Sequence, residues 1–395
     1  MPVQTATYLL KLGELTLKGG NIAGFEQVLK RNLQALLRST ASRVETTKGR
    51  FYVHCPEASC ARVEDALDHL IGITGWAKTR KCEKKVEAVM AACVEEGKSL
   101  FEKGIRTFKL EARRTDKSFP LDSYGICYKG GEAVLESVSG LTVDVHAPQG
   151  IIEVEIRERA YIFSMAKKGL RGLPVGTAGR GLLLLSGGID SPVAGFMMAS
   201  RGMGIDAVYF HAWPYTSEEA RQKVITLAGI VGRYSMGIRL ITVGFTAVQM
   251  RIKERASEPW TTVLLRMAMM ECAEKLSRRL KAKCLITGES LSQVASQTVE
   301  NLSCTASRIK LPVLRPLVGM DKESIIRSAE KLGTYETSIL PYEDCCVLFS
   351  PPHPVLRGDV EEAGKLYEAL ELEELIDTAL HESVMEKCGF PPRPV

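Results

Sequence analysis

No stretch of the 395-residue chain approaches the ~20 consecutive apolar residues that a membrane-spanning helix needs. The opening MPVQTATYLLKLGE has neither a basic leader nor a long apolar core, so no secretory signal peptide is expected. The eleven cysteines are odd in number and contain no CxxC pair. That argues against a disulfide framework and for reduced thiols in a cytoplasm. There is no GxxxxGK[ST], which sets aside a Walker-type ATPase. Internal repeats and low-complexity tracts are missing as well, which sets aside solenoids and disordered arrays.

What is present is ordinary in bulk. Hydrophobic content of 45% and charged content of 25% suit a globular chain with two or three domains. The net charge of +5 hides an asymmetry: from Arg357 to Val395 ten acids face four bases, so the rest of the chain carries +11. A basic body with an acidic end suits a polyanionic partner.

The apolar pattern divides the chain. Residues 5–12 alternate as a strand, 21–38 carry helical spacing, and SRVETT and RFYVHC form a hairpin across Lys48-Gly49. A helix in ARVEDALDHLIG and a strand in ITGWAKTRKC close a βαββαβ, ferredoxin-like domain over residues 1–82. Residues 83–166 read as a second unit. It has a helix in VEAVMAACVEEGKSLF, a strand in TFKLEARR and a helix with a glycine interruption in DSYGICYKGGEAVLES. Strands follow in LTVDVHAP and IIEVEIRERAYIFSM. KKGLRGLPVGTAGR (167–180), with four glycines and no acid, reads as a linker. From 181 to 395 strands and helices alternate, as in a doubly wound, Rossmann-like α/β sheet, ending in one or two acidic helices.

The most informative stretch is LLLLSGGIDSP (182–192). A buried strand breaks at Gly187-Gly188 and restarts at once as a helix, presenting backbone N–H groups at a helix N-terminus. That geometry binds phosphates. The glycines let a backbone approach a phosphate closely. Ser186 and Ser191 add hydroxyls, and Pro192 suits a first helical turn. Asp190 would repel a phosphate by itself, so its work is to hold Mg²⁺ or to orient the loop. Lys322 stands at a helix start, where a cation opposes the dipole, which suggests a task on phosphate.

SGGxDS is the signature of the PP-loop enzymes, which cleave ATP to AMP and pyrophosphate. GELTLKGGN, FKLEARRTDKSFPLDS, AVYFHAWPYTSEEARQKV, LITGESLSQVASQTVENL and RPLVGMDKESIIRSAEKLGTYETSILPYEDCC extend the likeness. From about Gly13 to about Pro354 the chain resembles the tRNA 4-thiouridine synthetases (tRNA sulfurtransferases), a family also linked to thiamine thiazole synthesis. The resemblance implies a ferredoxin-like domain, an RNA-binding THUMP domain and a PP-loop domain. It implies that Leu184, Leu185, Ser186, Gly187, Gly188, Asp190 and Ser191 hold ATP and that Tyr209 and Phe210 flank it. It adds Arg266, Gly288 and Gln297 as nucleotide contacts, and Lys322 as a catalytic group. By the same likeness the substrate is tRNA at uridine 8, and the protein is a homodimer.

Cys345 and Cys346 lie in the Pro-flanked PYEDCCVLFSPPHP. A thiolate there can carry or resolve sulfur. The resemblance aligns the family's sulfur-handling cysteine with Cys345. An iron–sulfur site on Cys304, Cys345 and Cys346 stays open as an alternative. Longer family members carry a rhodanese domain. Here an acidic segment of ~45 residues follows the cysteine loop, and MEKCGFPP does not resemble a rhodanese loop. The chain is therefore like the short members, and the donor is a cysteine desulfurase, a separate carrier or sulfide.

Arg106, Lys109, Arg113, Arg114 and Lys117 fall within twelve residues, and Lys167, Lys168, Arg171 and Arg180 follow in the linker. Such clusters contact phosphates in a salt-dependent way. Two other readings stay in view: another PP-loop reaction, and a tRNA-binding or sulfur-relay protein that does not adenylate.

Overall fold

Strand β1 (Thr5–Leu12) points Tyr8 and Leu10 into a core, and α1 (Ile22–Leu36) covers them with Leu29 and Leu33. The hairpin is β2 (Arg43–Thr47) and β3 (Arg50–Pro56), followed by α2 (Cys60–Asp68) and β4 (Ile73–Cys82). The computed structural model describes residues 5–17, 19–47, 49–342 and 351–389. The chain divides into two units, residues 1–172 and 173–395.

In the first unit β4 is shared. Its first part pairs antiparallel with β1, and Arg80, Lys81 and Cys82 pair with the strand Ala160–Ser164. One nine-stranded sheet therefore runs through both sequence segments. The second segment contains α3 (Val86–Glu102), β5 (Thr107–Arg114), α4 (Ser123–Ser137), β6 (Thr142–Val143), β7 (Gly150–Ile156), β8 (Ala160–Ser164) and β9 (Lys167–Lys168). Three expectations are corrected. Helix α4 runs unbroken through Gly130-Gly131; a Cβ on Gly130 would stand 2.9 Å from Leu110, so that glycine permits close packing on β5. LTVDVHAP yields only the two-residue β6, because Asp144 accepts the N–H groups of His146 and Ala147 at 2.9 and 3.0 Å and turns the chain. IIEVEIRERAYIFSM is two antiparallel strands, β7 and β8.

Residues 167–180 are ordered at both ends. Lys167 and Lys168 pair with β4, and Arg171 N–H donates to Ile73 O at 2.8 Å. Leu173, Gly176 and Ala178 then bond to Ser200 and Gly202 of the second unit.

The second unit is a six-stranded sheet. Its elements are β10 (Arg180–Leu184), α5 (Asp190–Ser200), β11 (Gly204–His211), α6 (Glu218–Tyr234), β12 (Ile238–Gly244), α7 (Thr246–Arg255), α8 (Thr261–Leu280) and β13 (Leu285–Ile286). They continue with α9 (Val299–Ala306), β14 (Val313–Leu314), α10 (Lys322–Leu332), α11 (Tyr335–Ser338), α12 (Val360–Glu368), α13 (Glu373–His381) and β15 (Val384–Cys388). The order is β14-β13-β10-β11-β12-β15, parallel except for β15, which runs antiparallel on β12. The acidic end is thus two helices and an edge strand. Every residue of β11 is buried, as expected of a central strand covered on both faces. The sheet reverses its order beside β10, between β13 and β11, where an open α/β sheet takes its ligands. No helix among the described residues is long and apolar enough to cross a membrane. The fold is mixed α/β, with ferredoxin-like and THUMP-type halves before a PP-loop sheet.

Candidate functional site

Strand β10 delivers the glycine turn to the carboxyl edge of the sheet, and α5 begins at Asp190. The turn is closed by its own serines. Ser186 N–H donates to Ser191 Oγ at 2.9 Å, and Ser191 Oγ reaches back to Ser186 O at 3.3 Å. Gly188 N–H donates to Ser186 Oγ at 3.3 Å. The two hydroxyls therefore shape the turn as well as facing the cavity.

A cavity of about 260 Å³ lies over this turn. Leu184, Leu185, Ser186, Gly188, Asp190 and Ser191 form its floor. Tyr209 and Phe210 enter from the end of β11, and Arg266 from α8. Gly288 and Gln297 close it from beyond β13. Gly187 belongs to the same turn. Gly288 lets two backbones meet: a Cβ there would stand 2.6 Å from Ser191 N and 2.8 Å from the Asp190 carbonyl carbon. Gln297 Oε1 accepts Ser290 N–H at 3.4 Å.

The charged groups converge from distant sequence. Lys322 Nζ is 2.7 Å from Asp190 Oδ1, and Gln293 Nε2 donates to Asp190 Oδ2 at 3.0 Å. Lys322 is the first residue of α10, whose cap, Asp321, accepts Ser324 N–H at 2.8 Å. The anionic cap Asp321 and the first-turn acid Glu323 offset a cation in that first turn. Arg266 pairs with Glu289, which also takes Arg315 Nε at 2.6 Å and Thr287 Oγ1 at 2.7 Å. Burial alone would raise the Glu289 carboxyl, but the two guanidiniums outweigh it and hold it below its ordinary range.

Sequence reading overlooked Glu289, Arg315 and Gln293. Glu289 directly follows Gly288 in ITGES, and an acid at a buried strand end was the available signal. Arg315 and Gln293 carried none.

Cys345 and Cys346 lie outside the described residues. Cys304 is buried, and burial raises its thiol. The basic residues of the first unit divide into two kinds. Arg113, Lys117, Lys168 and Arg171 are exposed. Lys109 pairs with Glu111 at 3.1 Å. Arg114 instead spends its guanidinium on the carbonyls of Lys117, Phe119 and Leu121, at 3.4, 2.9 and 3.2 Å. Arg106 bonds to Phe101 O and Ile105 O and stacks on the Phe101 ring, and Lys167 lies over the Trp76 ring near Asp68. Arg180 with Arg239 neutralises the fully buried Asp206. The footprint expected from charge counting thus includes several fold-bracing cations.

Three family descriptions match the chain: "ThiI ferredoxin-like domain" over residues 7–77, "THUMP domain" over 83–165, and "Thiamine biosynthesis protein (ThiI)" over 176–372. The chain is 50% identical over 375 residues to a "Probable tRNA sulfurtransferase" of Treponema pallidum, covering 94% of this chain and 93% of that one. It is 44% identical over 382 residues to one from Caldanaerobacter subterraneus, covering 96% and 98%. A solved structure described as a 4-thiouridine synthetase–RNA complex with bound ATP matches with TM-score 0.91 at 35% identity, over 98% of this chain and 100% of that chain. A cavity over an SGGxDS turn, in a chain whose earlier segments match ferredoxin-like and THUMP descriptions, is what such a chain should carry, and it belongs to the tRNA sulfurtransferase (ThiI) family.

Proposed function

We propose that the protein adenylates uridine 8 of tRNA and replaces its O4 by sulfur, giving 4-thiouridine. The observation that carries this reading is the Asp190–Lys322 pair at the rim of the cavity over the glycine turn. In this reading residues 1–82 and 83–166 hold the tRNA and residues 181–395 carry out adenylation.

ATP supplies the α-phosphate that turns a poor leaving oxygen into a good one. The N–H groups at the start of α5 and the dipole of that helix face the phosphates, while the Ser186 and Gly188 N–H groups hold the turn in shape. Gly288 supports close approach by keeping the turn against β13. Tyr209 and Phe210 flank the nucleoside, and Glu289 and Arg315 hold Arg266 in register beside it. Lys322 neutralises charge that develops on the phosphates as O4 attacks. Asp190 is the carboxylate that would hold Mg²⁺, an ion commonly bound through one or two carboxylates together with substrate phosphate, and the ion would supply charge that offsets the phosphates. Among the described residues no group of three or more His, Cys, Asp or Glu could hold a metal on its own.

Sulfur then attacks C4 and AMP leaves with O4: sulfide does so directly, whereas the terminal sulfur of a persulfide charged on Cys345 by a cysteine desulfurase forms a C4–S–S–Cys345 linkage. The Cys346 thiolate then cleaves that S–S bond, releasing 4-thiouridine and leaving a Cys345–Cys346 disulfide that an external thiol reduces. The same sulfur can serve thiazole synthesis. A cytoplasmic homodimer with tRNA as its partner completes the reading.

The test is to incubate the purified chain with ATP, Mg²⁺, unmodified tRNA and sulfide, digest the RNA and weigh its nucleosides. 4-Thiouridine at position 8 is expected, with one AMP formed per thiolation. Formation of neither AMP nor 4-thiouridine would overturn the proposal.

A further inference from the structure

Of the three tryptophans, Trp76 and Trp260 are 3% and 8% exposed and belong to the cores of their units, whereas Trp213 is 63% exposed. An indole buries a large apolar area when it is covered, so one left in water marks a surface with something to bind. The chain also holds Trp213 in that exposed place. It stands in the turn after β11, where the Tyr215 and Thr216 N–H groups donate to Ala212 O at 2.7 and 3.0 Å. Ala212 N–H donates to Thr216 Oγ1 at 3.0 Å, and the carbonyl of Trp213 itself accepts Thr246 Oγ1 at 2.7 Å. The backbone is fixed on both sides of the residue while its ring stays in solvent. Tyr215, on the same turn, is 52% exposed.

This turn flanks the cavity. Phe210, which lines it, precedes Trp213 by three residues, a backbone span of about 11 Å at most. In the sheet β10 lies between β13 and β11, so the glycine turn has the turn after β11 on one side and the loop after β13 on the other. That loop is tied to Asp190 through Gln293 and exposes Leu291 and Val294. Flat and apolar groups thus stand on both flanks, and they suit the face of a base better than a phosphate. An enzyme that acts on a base takes it out of the stack, and unstacked bases are held on aromatic faces. We propose that Trp213 is the stacking platform for the unstacked target uridine as it enters the cavity. The inference rests on the reading of the substrate given above.

The test uses the full chain, an unmodified tRNA transcript, and the same transcript lacking the base at position 8. Trp213 is the one solvent-exposed tryptophan, so acrylamide quenching of indole emission reports on it, and W213F identifies its share. At saturating RNA the intact transcript should shield the quenchable emission, whereas the abasic transcript and ATP alone should leave it open. In W213A the KM for tRNA in pyrophosphate release should rise by about tenfold or more, as loss of a base–aromatic stack does. The rise in melting temperature that ATP gives should stay as in the wild type, and W213F should keep most of the tRNA affinity. If W213A does not fold, shielding in the wild type carries the test. Equal shielding by the abasic transcript would show that RNA other than this base covers the indole, and would overturn the inference. Shielding by ATP alone would make Trp213 a nucleotide contact and overturn it too. So would emission closed to acrylamide before RNA is added, which would place a second copy of the chain on Trp213. A wild-type KM in W213A, while the wild type forms 4-thiouridine, would overturn this inference alone. A wild-type chain that forms neither AMP nor 4-thiouridine would overturn the proposed function, and this inference with it.

Discussion

Lys322 Nζ and Asp190 Oδ1 stand 2.7 Å apart although 132 residues separate them in the chain. The pair brings the cation of one helix start against the anion of another. It resolves two oddities at once: an acid inside the glycine turn and a lysine in the first turn of a helix. Replacing either with a neutral residue should lower tRNA-dependent pyrophosphate release by about 10² or more, as losses of charge-stabilising groups do. The double variant D190A/K322M should lose little more than the worse single, because the two act as one unit. Single-turnover pyrophosphate release measures all three. Additive losses would separate the two roles.

Gly288→Ala should damage the site without touching any charge. Its Cβ would press on Ser191 N at 2.6 Å, and both contacts are backbone. Overpacking of this kind costs about 1–3 kcal/mol. The variant should melt at a lower temperature, and ATP should raise that melting point less than in the wild type. Thermal melts with and without ATP and Mg²⁺ check it.

Glu289 should make stability depend on pH on the acid side. Its folded pKa lies below its unfolded value near 4.5, so the carboxylate's contribution is complete above that pH. The contribution is lost as pH falls through the folded pKa. In Glu289→Gln the guanidiniums of Arg266 and Arg315 lose their counter-charge, at a cost of about 3 kcal/mol at neutral pH. Denaturant midpoints from pH 3 to 7 should therefore converge toward the wild type at the acid end. The KM for ATP should rise with little change in kcat, because Arg266 loses its register.

Arg113 and Arg114 are neighbours with different expected phenotypes. Arg113→Ala should weaken tRNA binding and reduce the slope of log affinity against log salt by about one. Lys117→Ala should do the same. Arg114→Ala should lower the melting temperature by removing the donor for three carbonyls, as its hydrogen bonds require. Binding titrations at several salt concentrations, run beside thermal melts, separate the two classes.

Cys345→Ser should keep tRNA-dependent pyrophosphate release within about twofold of wild type while abolishing desulfurase-driven thiolation. Thiolate, not hydroxyl, is the sulfur nucleophile. Equal loss of both steps would make Cys345 a structural residue. Cys346→Ser should slow turnover after the first product if it resolves Cys345, which a burst measurement reports.

Much of the architecture was legible in local pattern. The periods of β1, α1, β11 and α10 follow from side-chain spacing, and Asp321 and Gly333 mark the ends of α10 as cap and left-handed stop. Other elements were hidden. Helices α7 and α9 and strand β15 escaped sequence reading. β15 sits in an acidic stretch whose spacing suits a helix, and it is a strand because β12 offers it an open edge. Register with a neighbour overrides propensity there.

The site divides in the same way. SGGIDS announces a glycine turn that opens a helix by itself, because glycine freedom, a helix start and short hydroxyls are local properties. The family resemblance added Tyr209, Phe210, Arg266 and Gln297, which local chemistry could not. Only the tertiary structure decided what the charges do. It paired Lys322 with Asp190, set Arg266 and Arg315 on Glu289, spent Arg114 on backbone carbonyls and Arg180 on the buried Asp206, and tied Lys223 to the carbonyls of Leu340 and Tyr342. The reason is physical: a charge reads the same in sequence whether it faces water, a carbonyl or a buried partner. Burial and distance, which no linear pattern contains, select among them.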